Sequence, residues 1–180
     1  MRRVCPSIVF VVTLLVVAAL PAPSQPTPKL KEQRVFSAID DGVNNPIAIP
    51  PRVLTLLAND EVVGDLLADQ NVTPTNLPAS WFSAAQVHLG PKGSKDVIVM
   101  GEGLLRGANI IPFWAFVHDG EGFRLALTVR ALDLEVKRTR SRGYLDLEAN
   151  AATARTVTTF KFRFDGNEYK ESSEKTEDIK

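Results

Sequence analysis

The sequence predicts a mainly β protein of about eight strands in two related antiparallel modules, with an N-terminal helical segment packed on them. Three observations predict it. From Ala85 onward apolar and polar residues alternate, a Gly-x-x-Asp strand start is written twice, and each copy is followed by an aromatic strand that runs into an Asp-Gly pair. The first copy is Gly93-Ser94-Lys95-Asp96, then Phe113-Trp114-Ala115-Phe116-Val117-His118-Asp119-Gly120. The second is Gly143-Tyr144-Leu145-Asp146, then Phe160-Lys161-Phe162-Arg163-Phe164-Asp165-Gly166. Asp96 and Asp146 lie 50 residues apart and Asp119 and Asp165 lie 46 apart, a spacing that suits stacked β units of about 85–137 and 138–170.

Residues 1–24 have the three-part form of a cleavable secretory signal: Arg2 and Arg3, an apolar run from Ile8 to Leu20, and small residues around Ala22-Pro23-Ser24. The run is 13 residues, short of the roughly 20 that a helix needs to cross a bilayer. Cleavage after Ser24 and a secreted or periplasmic location are therefore expected, with membrane contact only during export. Cys5, the single cysteine, leaves with the leader, so no disulfide, thiolate metal site or Cys nucleophile is available afterwards. Four prolines between Pro21 and Pro28, followed by the polar stretch from Lys29 to Arg34, predict a flexible linker over 25–44.

A single β-rich domain is expected over 45–170. Pro50-Pro51 opens a stretch whose apolar residues, Val53, Leu54, Leu57, Val62, Val63, Leu66 and Leu67, recur at helical spacing, with Gly64 as a stop or break. Gln70 to Ser80 has the composition of a loop. Leu132, Leu134 and Val136, and later Phe160, Phe162 and Phe164, alternate with charges as half-buried strands do. Asp96 to Met100 and Phe113 to Val117 are apolar on both faces and belong mid-core, covered on each side. Asp119-Gly120 and Asp165-Gly166 supply the positive φ that tight hairpins require. The charged stretch 171–180 has almost nothing to bury and is expected to be a disordered tail.

Together, Trp81-Phe82, Gly107-Ala108-Asn109, Phe113-Trp114, Gly143-Tyr144-Leu145-Asp146 and Arg163-Phe164-Asp165-Gly166 resemble uncharacterised secreted bacterial proteins with blade-like β repeats, distantly similar to FG-GAP and VCBS propeller repeats. The resemblance covers roughly 50–170 and implies two blade-like antiparallel modules. It does not extend to calcium. Leu89-Gly90-Pro91-Lys92 and Arg138-Thr139-Arg140-Ser141-Arg142 stand where the calcium-binding repeats carry alternating acidic residues, and cationic side chains oppose a hard cation.

The chain has 21 basic and 21 acidic residues, and loss of Arg2 and Arg3 leaves 19 against 21, so there is no long-range field to attract nucleic acid. His88 and His118 are 30 residues apart and no thiol accompanies them, which argues against a metal site. No Gly-x-Ser-x-Gly elbow occurs, and Gly101-Glu102-Gly103-Leu104-Leu105-Arg106-Gly107 lacks the spacing of a phosphate loop. No catalytic, cofactor or metal residue is assigned. Gly93, Asp96, Asp119, Gly120, Gly143, Asp146, Asp165 and Gly166 are read as turn residues, because Asp beside a turn accepts backbone N–H bonds and Gly takes positive φ.

Two groups remain as candidate contacts. Lys137, Arg138, Arg140 and Arg142 concentrate four cations in six residues and would meet an anionic polymer or acidic protein surface, although a solvated hairpin connection is the plainer reading. Arg106 and Asn109 flank an aromatic strand and are candidate ligand contacts. Asn71-Val72-Thr73 has the N-glycosylation pattern, which matters only in a eukaryotic secretory route. These features favour a non-enzymatic extracytoplasmic module that binds an unknown protein or polysaccharide. The alternatives are an inhibitor of a secreted or periplasmic hydrolase, with Glu102 to Asn109 or Lys137 to Arg142 as its protruding loop, a structural envelope component and, least favoured, an enzyme.

Overall fold

The structure, a computed structural model, describes residues 32–39 and 42–179. The leader expected over 1–24 lies outside the described residues. The protein is mainly β, built from two antiparallel sheets with two short helices on one of them. The strands are β1 (Val35–Ser37), β2 (Phe82–Val87), β3 (Asp96–Gly101), β4 (Ile111–His118), β5 (Phe123–Ala131), β6 (Asp133–Ser141), β7 (Tyr144–Ala152), β8 (Thr156–Phe164) and β9 (Tyr169–Asp178). One sheet is the four-stranded meander β2-β3-β4-β5, and the other is the meander β6-β7-β8-β9 with β1 added against β6.

Alternation along β3 and β4 explains the layering. Ile98, Met100, Phe113, Ala115 and Val117 face the second sheet and meet Leu134, Val136, Leu145, Leu147, Phe162 and Phe164 there. Val97, Val99, Trp114 and Phe116 face the other way, onto the helices α1 (Pro51–Leu57) and α2 (Glu61–Asp69) through Val53, Leu57, Val63 and Leu67. Strands covered on both sides carry apolar residues at every position, as β3 and β4 do. Trp114 is fully buried, as expected of a core aromatic. The helical segment is interrupted at Asp60, not at Gly64. The Asp60 carboxylate caps α2 by accepting the Val62 N–H at 3.1 Å and also accepts the Thr128 hydroxyl at 3.0 Å, which fixes α2 to β5. Asn71, in the left-handed region at φ 53°, ends α2, and Val72 N–H bonds back to the Leu67 carbonyl.

Several boundaries differ from the sequence expectation. The linker expected to reach residue 44 contains β1, in which Phe36 pairs with Leu134 and is fully buried, so one aromatic suffices to draw a polar stretch into the sheet. The tail expected to be disordered is β9, paired with β8 along its length from Tyr169 to Asp178. Its side chains beyond Tyr169 are polar, mostly charged, and exposed, and backbone hydrogen bonds hold it while the charges shield a sheet edge from further pairing. The stretch Gln70 to Ser80 contains two 3-10 turns, Pro74–Asn76 and Ala79–Trp81. Lys137 to Ser141 is strand, and only Arg142-Gly143, at φ 48° and 87°, forms the β6–β7 turn. The chain passes between the sheets at Leu132, whereas the division expected at 137/138 falls inside β6.

Candidate interaction surface

The turn residues form a self-contained junction at one end of the sheets. Asp96 opens β3 fully buried, and its carboxylate accepts the Gly90 N–H (2.8 Å), the Ser94 hydroxyl (2.5 Å) and the His118 N–H (2.9 Å). Gly93, at φ 91°, lies in the β2–β3 turn. Leu145 N–H donates to the Leu89 carbonyl at 2.7 Å, bonding β7 to the loop after β2, and the buried Tyr169 hydroxyl donates to the Leu145 carbonyl at 2.8 Å. Burial, with Asp96 and Asp146 adding to it, pushes the Tyr169 phenol far above its ordinary range and keeps it a neutral donor.

The two Asp-Gly pairs occupy the same turn of each meander, β4–β5 and β8–β9, with Gly120 at φ 93° and Gly166 at φ 114°. Asp165 accepts the Asn167 and Glu168 N–H groups, and those bonds hold its carboxyl below the usual range. Asp119 accepts the Glu121 N–H at 3.2 Å. Asp146 departs from this pattern. It is the third residue of β7, with Leu145 and Leu147 pointing into the core on either side, and its buried Oδ1 has no hydrogen-bond partner among the described residues.

The four cations do not form one patch. Lys137 is held between Glu135 (2.9 Å) and Glu148 (3.3 Å), and the Glu135 bond raises its pKa. Arg140 donates to the Gly90 carbonyl at 3.1 Å and the Gly143 carbonyl at 2.5 Å, inside the junction just described. Arg138 and Arg142 remain exposed. The histidines are occupied locally: His88 meets the Glu32 carboxylate and His118 stacks edge-on with Phe123. Among the described residues there is no cluster of three His, Cys, Asp or Glu able to hold a metal.

The opposite end of β3 is built differently. Gly101 is squeezed between Pro112 and Leu105, where a Cβ would approach within 2.7 Å, and the chain then leaves the sheet in the loop 102–110. That loop is fixed at several points. Glu102 N–H donates to the Trp81 carbonyl at 2.7 Å, and a 3-10 turn spans Gly103–Leu105. Arg106 pairs with Glu102 at 3.0 Å and donates to the Ala38 carbonyl, and Gly107 N–H donates to the Ile110 carbonyl at 3.1 Å. Arg106 is therefore a brace of the loop, and Asn109 is an exposed loop residue. Of the adjacent leucines, Leu105 is swallowed by the helix-side core while Leu104 stands 59% exposed, with Ile110 nearby in sequence at 39%.

Leu104 and Leu105 form one wall of a cavity of about 300 Å3 against α2, whose side contributes Val62 and Leu66. Glu61, Asp65 and Asp69, four residues apart on α2, line the same cavity with Arg130 from β5. None of these four charged groups has an ion-pair partner among the described residues. The sequence singled out the Glu102 to Asn109 loop but neither Leu104 nor the α2 acids, since Leu104 sits in a glycine-rich connection and the three acids alternate with core residues of a helix. A second cavity of about 440 Å3 lies along α1, between Leu54 and Pro74, and a third of about 400 Å3 on the outer face of the five-stranded sheet, between Asp146 and Arg163.

Comparison with family models, curated proteins and solved structures finds no match.

Proposed function

We propose that this protein is an extracytoplasmic, non-enzymatic interaction module whose partner-facing surface is the loop 102–110 beside α2. One observation carries the reading: Leu104 is 59% exposed on a loop held by four sets of internal bonds. A rigid loop that exposes a large apolar side chain loses little entropy on docking and gains the burial of that side chain. The three-part leader supports export. A partner is then a protein or polysaccharide met outside the cytoplasm. The test is site-specific photo-crosslinking in the exporting cell with the reactive group at position 104 or, as a control, at Thr153 in the β7–β8 turn. A discrete adduct from 104 and none from 153 supports the reading; equal labelling, or none, removes it.

A hydrolase inhibitor is the second reading, favoured by the same pinned loop, since inhibitors present a preformed segment that does not reorder on binding. Dose-dependent loss of activity in a panel of secreted hydrolases, abolished by Leu104→Asp, would select it over a non-inhibitory module.

A further inference from the structure

We infer that the partner presents a cationic segment with an apolar side chain at its centre, which docks in the cleft between Leu104 and α2. The inference rests on the interaction surface proposed above and names the chemistry that the surface selects. The cleft has two components. Its apolar lining comes from Val62, Leu66, Leu104 and Leu105, and at about 300 Å3 it is at the small end of ligand-sized cavities, room for one or two side chains rather than a cofactor. Its rim carries Glu61, Asp65 and Asp69 against the single cation Arg130, three negative charges to one positive.

Charge complementarity settles the occupant. Elsewhere in the fold several carboxylates are matched in place, Glu102 by Arg106, Glu135 and Glu148 by Lys137, Glu168 by Lys170 and Glu177 by Lys175, while Glu121, Glu171 and Glu174 have no ion pair among the described residues. What sets the α2 carboxylates apart is that three of them, unmatched among the described residues, stand at helical spacing beside the four apolar side chains of one cleft. An anionic or sulfated partner would be repelled by this rim, and an uncharged one would leave it without a counter-charge. A segment carrying Lys or Arg on both sides of a Leu-type residue meets both components at once. Such contacts weaken with salt, because the screening length falls from about 10 Å at 0.1 M to about 3 Å at 1 M.

The probe is a fluorescein-labelled peptide, Gly-Lys-Arg-Leu-Lys-Arg-Gly, titrated by anisotropy with the full-length exported chain. Two control peptides accompany it, one with Ser for Leu and one with Glu for every Lys and Arg. Binding by the basic Leu peptide is expected to weaken about tenfold for the protein variant Glu61→Gln/Asp65→Asn/Asp69→Asn at low salt, and the difference should shrink to about twofold near 1 M. The Ser peptide, and the Leu104→Ser variant, should each lose about tenfold at any salt. Equal binding of the basic and acidic Leu peptides, with Leu104→Ser still harmful, overturns the charge inference and leaves the Leu104 surface standing. Indifference to Leu104→Ser as well, no binding at all, or a mass that doubles with concentration and falls with Leu104→Ser overturns the assignment of a basic partner.

Discussion

The Asp96 carboxylate should be worth several kcal/mol of folding stability, and its counterpart Asp146 almost nothing. Asp96 is fully buried, with Oδ1 accepting the His118 N–H and Oδ2 accepting the Gly90 N–H and the Ser94 hydroxyl. Hydrogen bonds to a charged group contribute about 1.5–3 kcal/mol each, and a buried donor left without an acceptor costs about 1–3 kcal/mol. In Asp96→Asn the bond to His118 survives in neutral form, and the Ser94 hydroxyl can turn to accept from the new amide. Gly90 N–H then faces a donor. The expected loss is about 2–3 kcal/mol, and in Asp96→Ala, where all three donors are stranded, about 4–6 kcal/mol. In a domain of this size 1 kcal/mol moves Tm by roughly 2–4 °C, so Asp96→Asn should melt about 5–10 °C early. Asp146→Asn replaces an oxygen that has no partner among the described residues and should stay within about 0.5 kcal/mol of the parent. Urea unfolding followed by tryptophan fluorescence measures all three. An Asp96→Asn midpoint unchanged at constant m, or an Asp146→Asn loss as large as that of Asp96→Asn, would refute the reasoning.

Three further outcomes are expected. Tyr169→Phe strands the Leu145 carbonyl inside the inter-sheet junction and should cost about 1–2 kcal/mol, read as a lower urea midpoint. Burial raises the pKa of Asp133 above 3.8, so the folded state holds that proton more tightly than the unfolded one; its stabilising contribution is complete below 3.8 and lost as pH rises through the raised value. Asp133→Asn should therefore be the more stable form at pH 7, by well under the roughly 1.4 kcal/mol of a full pKa unit because the site is half exposed, and the advantage should vanish in melts below pH 3.8. Trp114→Phe removes a buried indole N–H that has no acceptor among the described residues while opening a gap beside Phe82; the two effects oppose, and its cost should stay below about 2 kcal/mol against about 3–5 for Trp114→Ala.

Side-chain periodicity made some elements legible and hid others for identifiable reasons. β3 and β4 were visible because a strand covered on both faces must be apolar at every position. The two hairpins were visible because Asp-Gly supplies a backbone conformation that other pairs reach only with strain. β9 was invisible, since its stability resides in backbone bonds to β8 and its charges resemble those of a solvated tail. β1 is three residues long, too short for a period to register. Lys137 and Arg140 look alike in sequence, but one faces the carboxylates of its own sheet and the other reaches the carbonyls of the β2–β3 loop, a difference that arises only once β6 has been bulged against β7. Leu104 and Leu105 are identical neighbours; the 3-10 turn and the crowded approach at Gly101 send one into the core and leave the other outside.

The two ends of β3 differ in how many of their groups the fold itself uses. At Asp96 the donors and acceptors around it are used within the fold, through Gly90, Ser94 and His118, and Arg140 and Tyr169 close the neighbouring β7 turn in the same way. Five residues on, about 17 Å away at the rise of an extended strand, Gly101 turns the chain into a loop whose backbone is equally fixed but whose Leu104 and neighbouring α2 carboxylates are committed to nothing among the described residues. Groups already bonded within the fold, as around Asp96, have no capacity left for a ligand, and a flexible loop would oppose docking with its own entropy. On the function proposed above, rigidity at the first end and rigid exposure at the second are the combination that would let a small domain hold a binding surface ready without spending part of its stability on exposing a larger one.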